Sequence, residues 1–437
     1  MHLDDLPETA PIPTLPPTFY DSPALKHLRQ GALSKRTAPD AVLHSVLARL
    51  SAFTAADLVL PGINGPESPL NYFVAVIAPS GGGKSTGAGI ARMLLPAPEH
   101  LWDRDDIPVG TGEGLIESFF EKDPDTKQKV QEHHNLFLYV DEGEVFKRLG
   151  ARDGTTLDTV IRSAFSGGVL GQRNAHRDTS RMLPPRSYSI GMVVGYQPEH
   201  AGHLLGQVGG GTPQRFVWAS AGPGPDVRPE VRAARKKGWP GALQIRPYWD
   251  RTGEIEFPSS VRTVIEERSE EIWFGDRIID PFDAHATLIA MRQAALLALL
   301  HGRIKVTESD WRHSATLLKT STLVRGWVRK QVQAQEESEH RKTLQRDADR
   351  ARIQAVARDD RKDYQQFVEQ RVVQILQRHG DDGLAVGRFQ AILTAGQMSV
   401  LPHAIKELTA RKEIELVPGT KRLRWIDPAE VTIELTL

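Results

Sequence analysis

Ala78-Pro79-Ser80-Gly81-Gly82-Gly83-Lys84-Ser85-Thr86 follows directly on the apolar run Tyr72-Phe73-Val74-Ala75-Val76-Ile77. An apolar run broken by a glycine cluster predicts a buried strand that opens into a loop, with a helix beginning near Lys84. Gly81, Gly82 and Gly83 carry no side chains, so backbone N–H groups at this turn are free to close around phosphate oxygens. Lys84 then reaches the β- and γ-phosphates of a nucleoside triphosphate, and the Ser85 hydroxyl supplies a ligand for Mg²⁺. Ser80 and Thr86 flank the cradle. The strict pattern G-x-x-x-x-G-K-[ST] asks for glycine at position 78, where this chain has Ala78. Three glycines beside the lysine keep the departure mild.

Working outward, Leu136-Phe-Leu-Tyr-Val140 reads as a second buried strand, ending in Asp141-Glu142. An acidic pair at the carboxyl end of an adjacent parallel strand lies at the phosphate end of a sheet. Asp141 is then the metal carboxylate and Glu142 the base that polarises the attacking water. Gly110-Thr-Gly-Glu-Gly114 offers a rival base in Glu113, which equally suits a helix-start carboxylate on the helix dipole. A third strand, Ser187–Gly195, leads to Gln197, a candidate γ-phosphate sensor or else the N-cap of a helix at Pro198-Glu199. A fourth, Arg215–Ala219, opens with an arginine that follows a glycine-rich loop. Arg215 suits a finger reaching a neighbouring subunit's γ-phosphate, or a salt-bridged edge residue. Strands alternating with helices predict an α/β fold with a mainly parallel sheet covered on both faces. Leu243–Trp249 and Gly253–Phe257, joined by Asp-Arg-Thr-Gly, read as an appended hairpin.

Residues 147–186 are basic, and within them Arg173, His176, Arg177 and Arg181 fall in a stretch with few apolar residues. Such a loop suits contact with a nucleic-acid backbone, although charge runs are commonly solvated faces. Toward the C-terminus, helices near 364–379, 386–393 and 400–411 precede two short strands joined by Pro-Gly-Thr-Lys. Three helices and a β-wing form a winged helix-turn-helix pattern. Lys406, Arg411 and Lys412 on its last helix, and Lys421 and Arg422 on the wing, are placed to grip a duplex. Winged helices also dock proteins, so a protein partner is the alternative there.

With Lys+Arg and Asp+Glu both at 55, no overall basicity advertises nucleic acid, and any such surface must be local. The absence of cysteine removes disulfide scaffolds and thiolate zinc sites. The acidic, Pro-rich start is unlike a secretory signal, and no apolar run approaches the ~18 residues of a membrane span. These features predict a cytoplasmic protein with no membrane partner.

Ser68-Pro-Leu-Asn71, the glycine loop, Gly-Glu-Gly at 112–114, Asp141-Glu142, Gly195-Tyr-Gln-Pro-Glu199 and Gly211-Thr-Pro-Gln-Arg-Phe216 together resemble a family of phage, plasmid and integrative-element ATPases associated with primases. The resemblance spans roughly residues 20–330. It implies a P-loop NTPase core of AAA+ or RecA-like type, with ATP and Mg²⁺ as cofactors. It further implies hydrolysis coupled to movement on DNA, usually as a homo-oligomeric hexameric ring. The adjacent Asp-Glu favours the AAA+ branch, and Glu113 keeps the RecA-like branch open. No primase motif is present, so priming falls to a separate protein. The expected organisation is a Pro-rich arm (1–20), a helical segment (21–66), the ATPase core (67–260), a helical lid (261–330), a charged helical linker (331–362) and the C-terminal winged helix (363–437). A ring helicase or replication initiator is the leading expectation. A helicase loader, or a nucleotide-gated DNA-binding scaffold, uses the same parts differently.

Overall fold

The computed structural model describes residues 11–126, 128–144, 156–172, 181–206, 211–225, 227–245 and 251–427. Its centre is a four-stranded, all-parallel sheet built from β1 (Tyr72–Ile77), β2 (Asn135–Val140), β3 (Ser189–Tyr196) and β4 (Phe216–Ser220), in the order β4-β1-β3-β2. Every residue of β1, β3 and β4 is buried, which is why these strands read as unbroken apolar runs rather than alternating ones. Ile107 adds a single parallel bridge to Leu138 on the outer side of β2. The protein is thus a mixed α/β chain with a parallel sheet.

The order corrects one expectation. The acidic strand β2 is not next to β1, because β3 lies between them. Apolar strands carry no local signal of their lateral order. That order is set by the helical crossovers and by which strand tolerates burial on both faces.

Helices α1 (Pro23–Ser34) and α2 (Pro39–Phe53) precede the sheet, and all of α2 is buried against it. The Pro-rich stretch before them is not a free arm over its described residues. Leu15, Phe19 and Tyr20 are buried, and the Leu15 N–H and the Tyr20 hydroxyl both donate to the Asp40 carboxylate at 2.7 Å. Proline content suggested extension, but the apolar side chains and the buried acceptor hold the segment down. Residues 1–10 lie outside the described residues.

Burial pushes the Asp40 carboxyl up to about 6 from its ordinary 3.8, against the pull of its two donors. Between about pH 4 and 6 the unfolded chain therefore loses a proton that the folded chain keeps. Stability is full below that window and is lost as pH rises through it, by about 3 kcal/mol at ~1.4 kcal/mol per unit. Urea unfolding followed across this window should show a steeper loss for the native chain than for Asp40→Asn. A variant with the same slope contradicts the assignment.

Helix α3 (Lys84–Leu94) follows the glycine loop, α4 (Gly112–Glu117) and α5 (Leu157–Ser166) flank β2, and α6 (Arg228–Lys237) follows β4. The segment expected as a lid holds α7 (Ser259–Trp273), α8 (Ala286–Leu300) and the start of α9 (Glu308–Gln377). Helix α8 is apolar around its whole circumference and is buried accordingly. Its Arg292, fully buried, donates to the Pro69 and Phe165 carbonyls at 2.9 and 2.6 Å and lies 4.0 Å from the centre of the Phe165 ring. Gln293 donates to the hydroxyl of Tyr72, the first residue of β1. This packing sits at the end of the sheet opposite the glycine loop.

The appended hairpin expected over 243–257 falls partly outside the described residues. Gly253–Glu254 pairs in parallel with Leu58–Leu60, and the Leu243 N–H donates to the Leu94 carbonyl, while residues 246–250 lie outside the described residues. Among the described residues no helix is long and apolar enough to cross a membrane.

The chain divides into two compact units after Glu336. The charged stretch 331–362 is helical and forms part of α9, which continues to Gln377. In the second unit, Val368, Val372 and Leu376 at the end of α9 form a small core with Phe389, Leu401 and Leu423. A sheet ordered β5-β7-β6 is built from β5 (Leu384–Ala385), β6 (Ile414–Leu416) and β7 (Arg422–Trp425) and packs with α10 (Ala395–Ala410). The middle helix expected near 386–393 is a 3-10 segment, Val386–Ala391.

Candidate functional site

The chain leaves β1 at Ile77 and turns sharply. The Ala78 N–H donates to the Tyr196 carbonyl and the Gly82 N–H to the Pro79 carbonyl, at 3.1 and 2.9 Å. A Cβ on Gly82 would stand 2.7 Å from the Ala78 side chain and 2.9 Å from the Pro79 oxygen, so only glycine closes this turn. Gly83 caps α3 without a side-chain bond, and no acidic residue occupies the first turn of that helix. The first N–H groups of α3 therefore point outward at a positive helix end, an arrangement suited to an anion. The Lys84 ammonium folds back over the loop and donates to the Ala78 carbonyl at 3.3 Å.

Around this loop lies a recess of about 270 Å³. Residues 80–86 form one side, Asp141 and Glu142 another, and Gln197 and His200 close it. All these groups sit at the carboxyl ends of β1, β2 and β3, which the parallel sheet brings to one edge. Gly195 makes the approach possible. A Cβ there would stand 2.4 Å from the Asp141 carbonyl and 3.2 Å from the Lys84 stem. Asp141 accepts from the Tyr139 hydroxyl at 2.9 Å, and burial together with that carboxylate pushes the phenol well above its ordinary range. Glu142 is exposed and lines the recess.

Gln197 makes no side-chain capping bond to the 3-10 turn Pro198–His200, so its amide is left facing the recess. Glu113 is not part of this constellation. Its carboxylate accepts from the Thr156 hydroxyl at 2.7 Å, a bond that lowers its pKa, and it lines a different depression with Val160 and Gly171. Arg215 lies at the start of β4, whose register sets Phe216 opposite Phe73 and Ser220 opposite Ile77. It is therefore at the far edge of the sheet from the glycine loop. There its guanidinium bonds the Gly211 carbonyl and lies 5.8 Å from the Phe165 ring centre.

Sequence reading overlooked His200 and Glu144, which form an ion pair at 3.0 Å when the imidazole is charged, on the rim of the recess. The only signal for His200 was its place three residues after Gln197, within one turn.

The candidate nucleic-acid residues divide. Arg173, His176 and Arg177 lie outside the described residues, bracketed by an antiparallel pair of strands, Leu170–Gln172 and Arg181–Leu183. Arg181 is ion-paired with Glu117, and Arg411 with Glu369 at 2.5 Å and Glu413 at 3.0 Å. Both charges are therefore partly neutralised within the fold. Lys406, Lys412, Lys421 and Arg422 are exposed, and Arg422 donates to the Asp382 carbonyl at 3.3 Å.

A divalent cation would find two hard oxygen donors here, the Ser85 hydroxyl and the Asp141 carboxylate. Among the described residues no three His, Cys, Asp or Glu side chains converge as a metal cage. One or two hard oxygen ligands suit a cation such as Mg²⁺ that keeps water or other oxygens in its remaining positions. No protein-family model matches the chain, and no curated protein matches it at a significant level.

Proposed function

We propose that this chain is a P-loop ATPase of the AAA+ or RecA-like type that works on DNA as a ring, with a C-terminal winged helix for DNA or a partner. The observation that carries this reading is the convergence of the glycine loop, Lys84, Asp141, Glu142 and Gln197 on one recess at the carboxyl edge of a parallel sheet. A triphosphate chain lies over the loop N–H groups and the Lys84 ammonium. Mg²⁺, held by Ser85 and Asp141 with the phosphates, supplies charge neutralisation at the β- and γ-oxygens. Glu142 takes the proton of the attacking water, and the Gln197 amide orients that water against the γ-phosphate.

The recess is rich in carboxylates, and Lys84 is the permanent cation among its described lining residues. Charge developing on the γ-phosphate calls for another. Arg215 cannot supply it within the same subunit, being at the opposite sheet edge, but a neighbour in a ring can present it. DNA-stimulated ATP hydrolysis with strand displacement supports a helicase. Stimulation only by a partner helicase supports a loader, and tight DNA binding with negligible turnover supports a scaffold. The shared-site reading has its own check. Arg215→Ala should lose hydrolysis by about a hundredfold and recover part of it when mixed with Lys84→Ala subunits. No recovery on mixing removes Arg215 from the neighbour's site.

A further inference from the structure

The glycine loop has a second face. Gly81–Gly83 and Thr86 also floor a recess of about 690 Å³, within the usual size range of small-molecule sites. One wall comes from the turn between α1 and α2, through Leu33, Thr37 and Ala38. The other comes from the end of β4 and from α6, through Ala221, Pro223, Val227 and Val231. A nucleotide whose phosphates cover the loop has this recess for its sugar and base.

The chemistry of the lining is one-sided. Arg228, Arg232 and Arg235 recur at helical spacing on α6, and Arg36 faces them from the turn after α1. Among the described residues none of these four guanidinium groups forms an ion pair, and Lys35 beside them lies over the Trp239 ring. The one carboxylate of α6, Glu230, is turned away to pair with Arg29 at 2.6 Å. Among the described residues, no aspartate, glutamate, asparagine, glutamine or aromatic side chain lines the recess. Arginine and lysine donate hydrogen bonds and accept none. Among the described lining residues the side-chain acceptors are the Thr37 and Thr86 hydroxyls.

An adenine amino group meets little here that would distinguish it, whereas the O6 and N7 acceptors of guanine match a guanidinium fork. Aliphatic walls accept any base and discriminate weakly by shape. We propose that this recess receives the base and sugar of the bound triphosphate without selecting adenine, so that GTP is a ligand on a par with ATP. The inference rests on the phosphate-loop reading above.

Calorimetric titration of the full chain with Mg²⁺ and ATP, GTP, CTP or UTP tests it. The expected result is GTP binding within tenfold of ATP or tighter. In Arg232→Ala/Arg235→Ala, GTP should weaken about tenfold and more than ATP, while Arg232→Lys keeps most of the affinity. In Lys84→Ala all four triphosphates should weaken by a common factor. ATP bound more than tenfold tighter than GTP overturns the proposal but leaves the phosphate loop standing. So does a double arginine variant that binds GTP as the native chain does. If no triphosphate shows Lys84-dependent binding, the phosphate-loop reading and this proposal fall together.

Discussion

On the proposed reading, Lys84→Ala should lower nucleotide hydrolysis by about a hundredfold or more. The side chain begins at the first residue of α3, and its ammonium already lies over the loop, 3.3 Å from the Ala78 carbonyl. A phosphate chain bound on the loop N–H groups would bring charged oxygens to that point, and the ammonium would exchange the Ala78 carbonyl for them. Truncation to alanine leaves the negative charge of the phosphates facing Asp141, Glu142 and Glu144 across the same recess. The fold does not depend on the amine, since the lysine is only half-buried and forms no ion pair among the described residues. The unfolding midpoint should therefore stay at its native value while turnover disappears. Full activity in the variant removes Lys84, and with it the loop, from the site.

The second large effect separates the two glutamates. Glu142→Gln should lose roughly 10²- to 10⁴-fold in turnover while still binding nucleotide, because the amide cannot take the proton of the attacking water. Glu113→Gln should cost only about a fewfold, since that carboxylate is engaged with Thr156 and faces another depression. Single-turnover hydrolysis alongside a direct binding titration reads both quantities. The reverse ranking would move the base to Glu113 and require α4 to shift toward the glycine loop.

The local parts of the site were legible in residues 72–86, and for a specific reason. A strand buried on both faces must be apolar throughout, a loop that turns this tightly must carry glycine, and a helix begins where the glycines stop. Each rule acts over a few neighbours in the chain, so the expected helix from Lys84 to Leu94 and the strand at 136–140 appear within a residue of their places. The charged stretch 331–362 illustrates the converse. Its composition suited an irregular linker or a solvated helix, and only the long continuous α9 shows that it is helical.

Glu113 and Glu142 looked alike in the chain, each an acid beside glycine near a predicted element boundary. Strand order separated them. With β3 set between β1 and β2, the end of β2 delivers Glu142 to the glycine loop, while the Glu113 carboxylate is drawn to Thr156 at the start of α5. The same holds for Arg215, which the register of β4 puts at the opposite edge, and for α8, whose all-round apolar surface draws it into the core rather than over the loop. Strands, turns and helix starts are short-range consequences of backbone sterics and local hydrophobic pattern, and residues 72–86 carry them unaided. Which carboxylate meets the glycine loop, which arginine cannot, and that the loop has a second, cation-rimmed face follow from long-range packing of surfaces far apart in the chain.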